Sequence, residues 1–151
     1  MALTEETEMG VEAVDEFLAA RETGVLSLAR DEKPYAIPIS YGYDSETTTF
    51  YMRLVSTPES EKRQFLASSP SARLVVYDRT DDDQRYWSVL ASGELEEIDP
   101  DELSLEEIEQ YGQAHRPLFE IWGQEKDELN INLYRFHPDE LSGRRTDIHR
   151  E

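Results

Sequence analysis

The chain has 151 residues, the size of one domain, and carries 34 Asp+Glu against 15 Lys+Arg for a formal net charge of −19. Phosphate backbones and anionic lipids repel such a chain, which argues against general nucleic-acid or membrane-surface binding. Cysteine is absent, excluding disulfides, thiolate metal sites and a cysteine nucleophile.

No run approaches the roughly 18 apolar residues of a membrane span. The opening MALTEETEMG has acids where a signal peptide needs a basic and then an apolar region. The expected compartment is the cytoplasm. Only Lys33, Lys62 and Lys126 are lysine; the other basic residues are arginine. Acid excess with scarce lysine is the composition of a halophilic protein, in which salt screens self-repulsion.

In chain order, VEAVDEFLAARE (11–22) places Val11, Val14, Phe17 and Leu18 on one helical face. GVLSLAR (24–30) and YAIPISYGY (35–43) alternate as strands around the turn residues Asp31 to Pro34, predicting a hairpin. Pro38 lies inside the second strand. It has no N–H to give a ladder, so this position must face an edge, a bulge or a ligand. TTTFYMRL (47–54) is β-branched and aromatic, a third strand.

Thr57-Pro58 opens a predicted helix to about Ala67. ARLVVYD (72–78) and RYWSVLASGELEEI (85–98) are strands four and five, with Gly93 marking a bulge or bend in the latter. Asp99-Pro100-Asp101 starts a predicted acidic helix to about residue 112, residues 113–128 carry no clear period, and NINLYRFHP (130–138) reads as the last strand. Six short strands with turn spacing near ten residues, joined largely as hairpins, predict a small barrel, closed or partly open, with helices across its ends.

The usual catalytic constellations are missing. His115, His137 and His149 share no ligand spacing, so no metal site is expected. There is no Gly-x-Ser-x-Gly elbow, no P-loop and no G-x-G-x-x-G. Glu102, Glu106, Glu107 and Glu109 form a solvated helix face. Three segments stand out instead. Pro38 between Ile37 and Ile39, followed by Ser40, frees peptide groups that can bond to a flat heteroaromatic ring. Arg53, with Ser60, Lys62 and Arg63 at a helix start, gathers phosphate donors in an acid-rich chain. Trp87-Ser88 sets an aromatic beside a hydroxyl within a strand.

In this order the segments GVLSLARDEKPYAIPISYGYDSETTTFYMR, Ser60-x-Lys62 and RYWSVLASGELEEI resemble the pyridoxamine 5′-phosphate oxidase-like FMN-binding split barrels, in particular the branch related to nitroimidazole-resistance proteins. The resemblance covers about residues 11–98, with an echo in RFHPDELSGRR (135–145). It implies a mainly β chain with peripheral helices: a six-stranded antiparallel split β-barrel with Greek-key connections, forming a single domain over residues 1–151. It also implies a homodimer with FMN at the subunit interface and a small-molecule substrate.

Ile37, Pro38, Ile39 and Ser40 then fall on the strand lining the flavin ring. Arg53, Ser60, Lys62 and Arg63 fall near its phosphate, and Trp87, Ser88 and Val89 fall where the partner approaches the ring. Related nitroimidazole-resistance proteins carry histidine after the aromatic pair of the third strand, whereas this chain reads Phe50-Tyr51-Met52-Arg53. Of the oxidase's basic, histidine-containing C-terminal substrate motif, only Gly143-Arg144-Arg145 is present. The implied activity is flavin-dependent hydride transfer. The alternatives are an F420-dependent reductase, with Arg63, Arg144 and Arg145 lining a basic channel, and a flavin- or haem-binding module without turnover.

If the −19 charge reflects adaptation to salt, the melting temperature should rise from low salt to molar KCl as repulsion is screened. A flat melting temperature over that range would mark an ordinary acidic protein.

Overall fold

The computed structural model describes residues 3–56, 64–66, 71–82, 84–102, 104–105 and 130–149. They form strands β1 (Leu3–Glu8), β2 (Thr23–Arg30), β3 (Lys33–Ser40), β4 (Gly42–Asp44), β5 (Thr49–Ser56), β6 (Ser71–Arg79), β7 (Arg85–Ile98) and β8 (Asn130–His149). Helix α1 spans Val11–Ala19, and a short 3-10 turn spans Pro100–Glu102. The strands make one eight-stranded sheet in the order β3-β2-β6-β7-β8-β5-β4, with β1 added along β8. Every pairing is antiparallel. The chain is mainly β and has the split-barrel architecture that its sequence predicts.

The additions to the six predicted strands have physical reasons. MALTEETEMG shows no apolar period, yet β1 pairs with the second half of β8, and that long-range ladder supplies its hydrogen bonds. β8 itself runs on past the predicted end at residue 138 to His149, flanked by β7 along most of its length. The predicted strand 35–43 is split at Tyr41. Up to Ser40 it pairs with β2; from Gly42 it pairs with β5. β3 and β4 are the two ends of the sheet path and only Tyr41 separates them, so the sheet must curl until its ends meet. They meet without a shared ladder, which makes the barrel split.

Tyr41 is 2% exposed. Its N–H donates to the Glu22 carbonyl at 2.9 Å and its hydroxyl to the Leu18 carbonyl at 2.8 Å. Its ring meets Phe50 edge-on at 5.4 Å; Tyr43 lies 4.8 Å and Phe136 6.0 Å from the same Phe50 ring. Around these aromatics the inner face repeats every second residue: Leu26 and Leu28, Phe50 and Met52, Leu74 and Val76, Val89 and Ala91 are all buried.

Helix α1 covers this core with Val14, Phe17 and Leu18. Val11, predicted on the same face, is 79% exposed; the buried stripe begins a turn later at Val14. The helix ends at Ala19, before the predicted 22. Tyr43 ties the helix to β4 by donating to Asp15 at 2.5 Å.

The β2–β3 hairpin turns on two residues, Asp31 and Glu32, with φ of 50° and 67°. Both are in the left-handed region that this turn geometry requires and that glycine occupies most cheaply. Glu32→Gly should stabilise the protein by about 0.5–1 kcal/mol, because side chains pay about 1–2 kcal/mol there. A lower midpoint in urea would refute this.

Tyr41→Phe should cost about 0.5–1.5 kcal/mol by urea unfolding, because the bond from the buried hydroxyl to the Leu18 carbonyl is lost, while that carbonyl keeps the Arg21 N–H at 3.3 Å. Burial pushes the Tyr41 phenol up, with the Arg21 charge pulling weakly the other way. The protonated form is therefore the folded one. Its contribution is full below the free phenol value of about 10 and is lost as pH rises through the folded value. The variant should accordingly lose stability less steeply than wild type in alkali.

Candidate functional site

Strand register sorts the predicted residues into two faces. Side chains alternate, so within one strand neighbours cannot serve the same surface. On β3, Ile39 is in the core and Ile37 packs against it, while Pro38 is exposed on the outer face. On β7, Val89 is in the core and Ser88 is exposed. The side chains of Ile37, Ile39 and Val89 therefore lie on the inner face, and the peptide groups of Val89 are flanked by β6 and β8. β3 is the terminal strand of the path, so Pro38 meets the edge condition set by its missing donor.

Pro38 heads an apolar row directly across the sheet, opposite Val25, which faces Val75, which faces Leu90. The last three are half-buried. Two residues along, Ser88 sits between Tyr77 on β6 and Arg144 on β8. Tyr77 is 68% exposed. From strand spacing, Pro38 and Ser88 are roughly 14 Å apart across the sheet.

The other end of the patch lies at the split. The β4–β5 ladder ends at Gly42 and Tyr51; two residues beyond it on either side stand Ser40 and Arg53, where β3 and β5 remain in contact without a ladder. Both have the parity of the outer face; Ser40 is 4% exposed and Arg53 is half-buried. Pro38 and Ser40 of β3 and Arg53 of β5 are thus brought to one seam. Ser60, Lys62 and Arg63 lie outside the described residues, as does the predicted acidic helix face from Glu106 onward. Phe65 of the segment 64–66 is described: it is 5% exposed and stacks on Tyr35 of β3 at 4.9 Å.

Trp87 turns inward. Its ring lies 6.1 Å from Phe17 of α1, and the Arg21 guanidinium sits 4.0 Å from the Phe17 ring centre and 5.6 Å from that of Trp87. Arg21 is held there by Asp78 at 3.1 Å. The tryptophan side chain belongs to the joint between helix and barrel, so the outer face at this point consists of Ser88 and its neighbours. Tyr77 was missed in the sequence, and Arg144 was read there only as part of a basic channel; nothing but the β6–β7–β8 register places them beside Ser88.

Arg144 is paired with Glu6 of β1, and Arg145 lies 3.5 Å from Asp147. A basic channel made from these arginines is therefore already neutralised. Among the described residues no group of three His, Asp or Glu side chains could hold a metal. No helix among them is long and apolar enough to cross a membrane. Burial, with the Asp15 carboxylate beside it, also pushes the Tyr43 phenol up. It thus stays protonated as a donor at neutral pH.

Residues 10–145 match the family described as pyridoxamine 5′-phosphate oxidase. Among solved structures, a candidate 5-nitroimidazole antibiotic resistance protein from Bacteroides thetaiotaomicron has a TM-score of 0.70 at 14% identity, over 100% of this chain and 96% of that one. A candidate pyridoxamine 5′-phosphate oxidase from Corynebacterium glutamicum has a TM-score of 0.69 at 17% identity, over 97% of this chain and 96% of that one. An FAD-binding protein from Mesorhizobium loti has a TM-score of 0.65 at 18% identity, over 95% and 98%. At these identities the likeness shows the fold. No curated protein sequence matches this chain.

Proposed function

The chain belongs to the pyridoxamine 5′-phosphate oxidase family, and from that premise we propose that it binds FMN on the outer face of the barrel and acts as a flavin-dependent oxidoreductase on a small molecule. The observation that carries this reading is the seam where Pro38, Ser40 and Arg53 meet. There a strand edge without a proline N–H, a hydroxyl and a guanidinium adjoin an apolar row that suits a planar ring. The Mesorhizobium loti relative binding FAD supports a flavin. The bound flavin would supply hydride transfer, and the protein binding, orientation and charge.

In this reading Arg53 and Lys62 neutralise the phosphate, and the peptide groups around Pro38 to Ser40 hold the polar edge of the ring. Pro38 and Ser88 of one chain stand too far apart to frame one ring. Ser88, with Tyr77 and Arg144, therefore reaches the cofactor of a second copy, and the working unit is a homodimer with an interface above about 1,000 Å². The pairing of Arg144 with Glu6 and of Arg145 with Asp147 favours FMN over the longer anionic tail of F420.

Lys62→Ala should weaken FMN binding at least about tenfold, the loss of a charge-assisted contact, and leave the fold intact. Riboflavin, which lacks the phosphate, should bind wild type and variant alike. Equal losses for both ligands would mean a damaged barrel, and unchanged FMN affinity would remove Lys62 from the site. Mass spectrometry of the cofactor released from the native protein identifies the flavin. Bleaching of its spectrum by NAD(P)H separates an enzyme from a module that only binds. Light scattering of the loaded protein should give a dimer; a loaded monomer would overturn the shared site.

A further inference from the structure

One row below the apolar stripe, a groove of about 500 Å³ crosses the outer face of β2, β6, β7 and β8. Its centre is Arg73, directly opposite Ser27 on one neighbouring strand and Ser92 on the other. Ser92 in turn faces Glu140. The far bank is shaped by a bulge. Ser92 pairs with Glu140 and Gly93 with Pro138, so Asp139 is an extra residue without a ladder partner. A Cβ on Gly93 would come within 3.0 Å of the Pro138 Cα and 3.1 Å of the Asp139 N. The bulge therefore packs against a position that only glycine fills without displacing backbone. Bulges re-aim side chains, and this one brings Asp139 to the groove beside Glu94 and Glu140.

Arg73 differs from the other described arginines. Six of them are ion-paired with a carboxylate and the other two, Arg53 and Arg79, also have an interacting group, as expected where acids outnumber bases so heavily. Arg73 engages none, although three carboxylates share its groove. The groove thus keeps a cation on one bank and anions on the other, with hydroxyls beside the cation. A guanidinium grips a carboxylate through two parallel N–H donors. A ligand that is only anionic would meet the repulsion of Glu94, Asp139 and Glu140. One that is only cationic would meet Arg73.

We infer that this groove is a second small-molecule site, separate from the flavin site, and that it takes a zwitterion whose carboxylate binds Arg73, Ser27 and Ser92 and whose ammonium faces Asp139 and Glu140. Arg73 and Glu140 stand on strands two spacings apart, roughly 10 Å. The two charges of the ligand are therefore separated by a chain, as in an ω-amino carboxylate, rather than joined at one carbon.

The test is a titration of the full-length protein, with flavin bound, at low ionic strength, followed by calorimetry and by amide chemical shifts. The probes are 6-aminohexanoate, hexanoate, hexylamine and glycine. 6-Aminohexanoate should bind at least tenfold more tightly than any of the other three and shift the amides of Ser27, Arg73 and Ser92. Arg73→Gln should lower its affinity about tenfold and leave hexylamine binding no weaker, and Glu140→Gln should lower it while leaving hexanoate binding no weaker. Both substitutions are at exposed positions, and the bound flavin spectrum reports that the fold and the first site are intact. Absence of binding, hexanoate or hexylamine binding as tightly as the zwitterion, glycine binding equally well, or indifference to Arg73→Gln would each overturn the assignment. None of these outcomes bears on the flavin site.

Discussion

Tyr41 stands between the two ends of the sheet, and the barrel exists because one residue must join them. The strand before it is committed to β2 and the strand after it to β5, and these lie at opposite ends of the hydrogen-bonded path. A flat sheet cannot satisfy both. Curling the sheet puts Tyr41 inside, where its backbone N–H and its hydroxyl bond to the carbonyls of Glu22 and Leu18, at the end of the helix that covers the core. The join of the barrel and the docking of its helix are therefore one cluster of contacts. Tyr43, bonded to Asp15 and packed on Phe50, extends that cluster along α1.

The same curl creates the seam of the candidate site. Because the ends meet without a ladder, Ser40 and Arg53 approach each other from strands that share no hydrogen-bonded register. The remaining outer face is ordered by the long pairings of β6, β7 and β8. The apolar row from Pro38 to Leu90, the Tyr77–Ser88–Arg144 row and the Ser27–Arg73–Ser92 row are all consequences of those registers. A one-residue slip of β7 would exchange Leu90 and Ser92 for Val89 and Ala91, which is why the buried inner face also specifies the outer one.

In so acidic a chain most of the described arginines act as counter-ions to neighbouring carboxylates. Arg21 locks helix to sheet through Asp78 and two aromatic rings, Arg144 holds β1 to β8 through Glu6, and Arg135 bridges to Glu96 on the neighbouring strand. Such pairs on the surface are worth about 0–1 kcal/mol each.

Six of the strands, the β2–β3 hairpin and the irregularity at Gly93 were legible in the sequence because alternation, β-branching and turn residues act over a few neighbours, whereas the choice of a sheet edge for Pro38 among edge, bulge and ligand came from the strand order. The family was legible for the same reason: its motifs are short and lie on those strands. The sequence could not show β1, whose ladder is formed with residues 144–149, or the inward commitment of Trp87 to Phe17 and Arg21. Nor could it show the break at Tyr41, where a single apparent strand changes partners. It grouped Ile37 to Ser40 and Trp87 to Val89 as sites, but alternation on a sheet turns Ile37, Ile39, Trp87 and Val89 inward. Local chemistry determined which segments are strands and which could carry a ligand. Pairing between segments far apart in the chain decided which side chains share a face, because register and closure arise from long-range contacts that no short stretch of residues encodes.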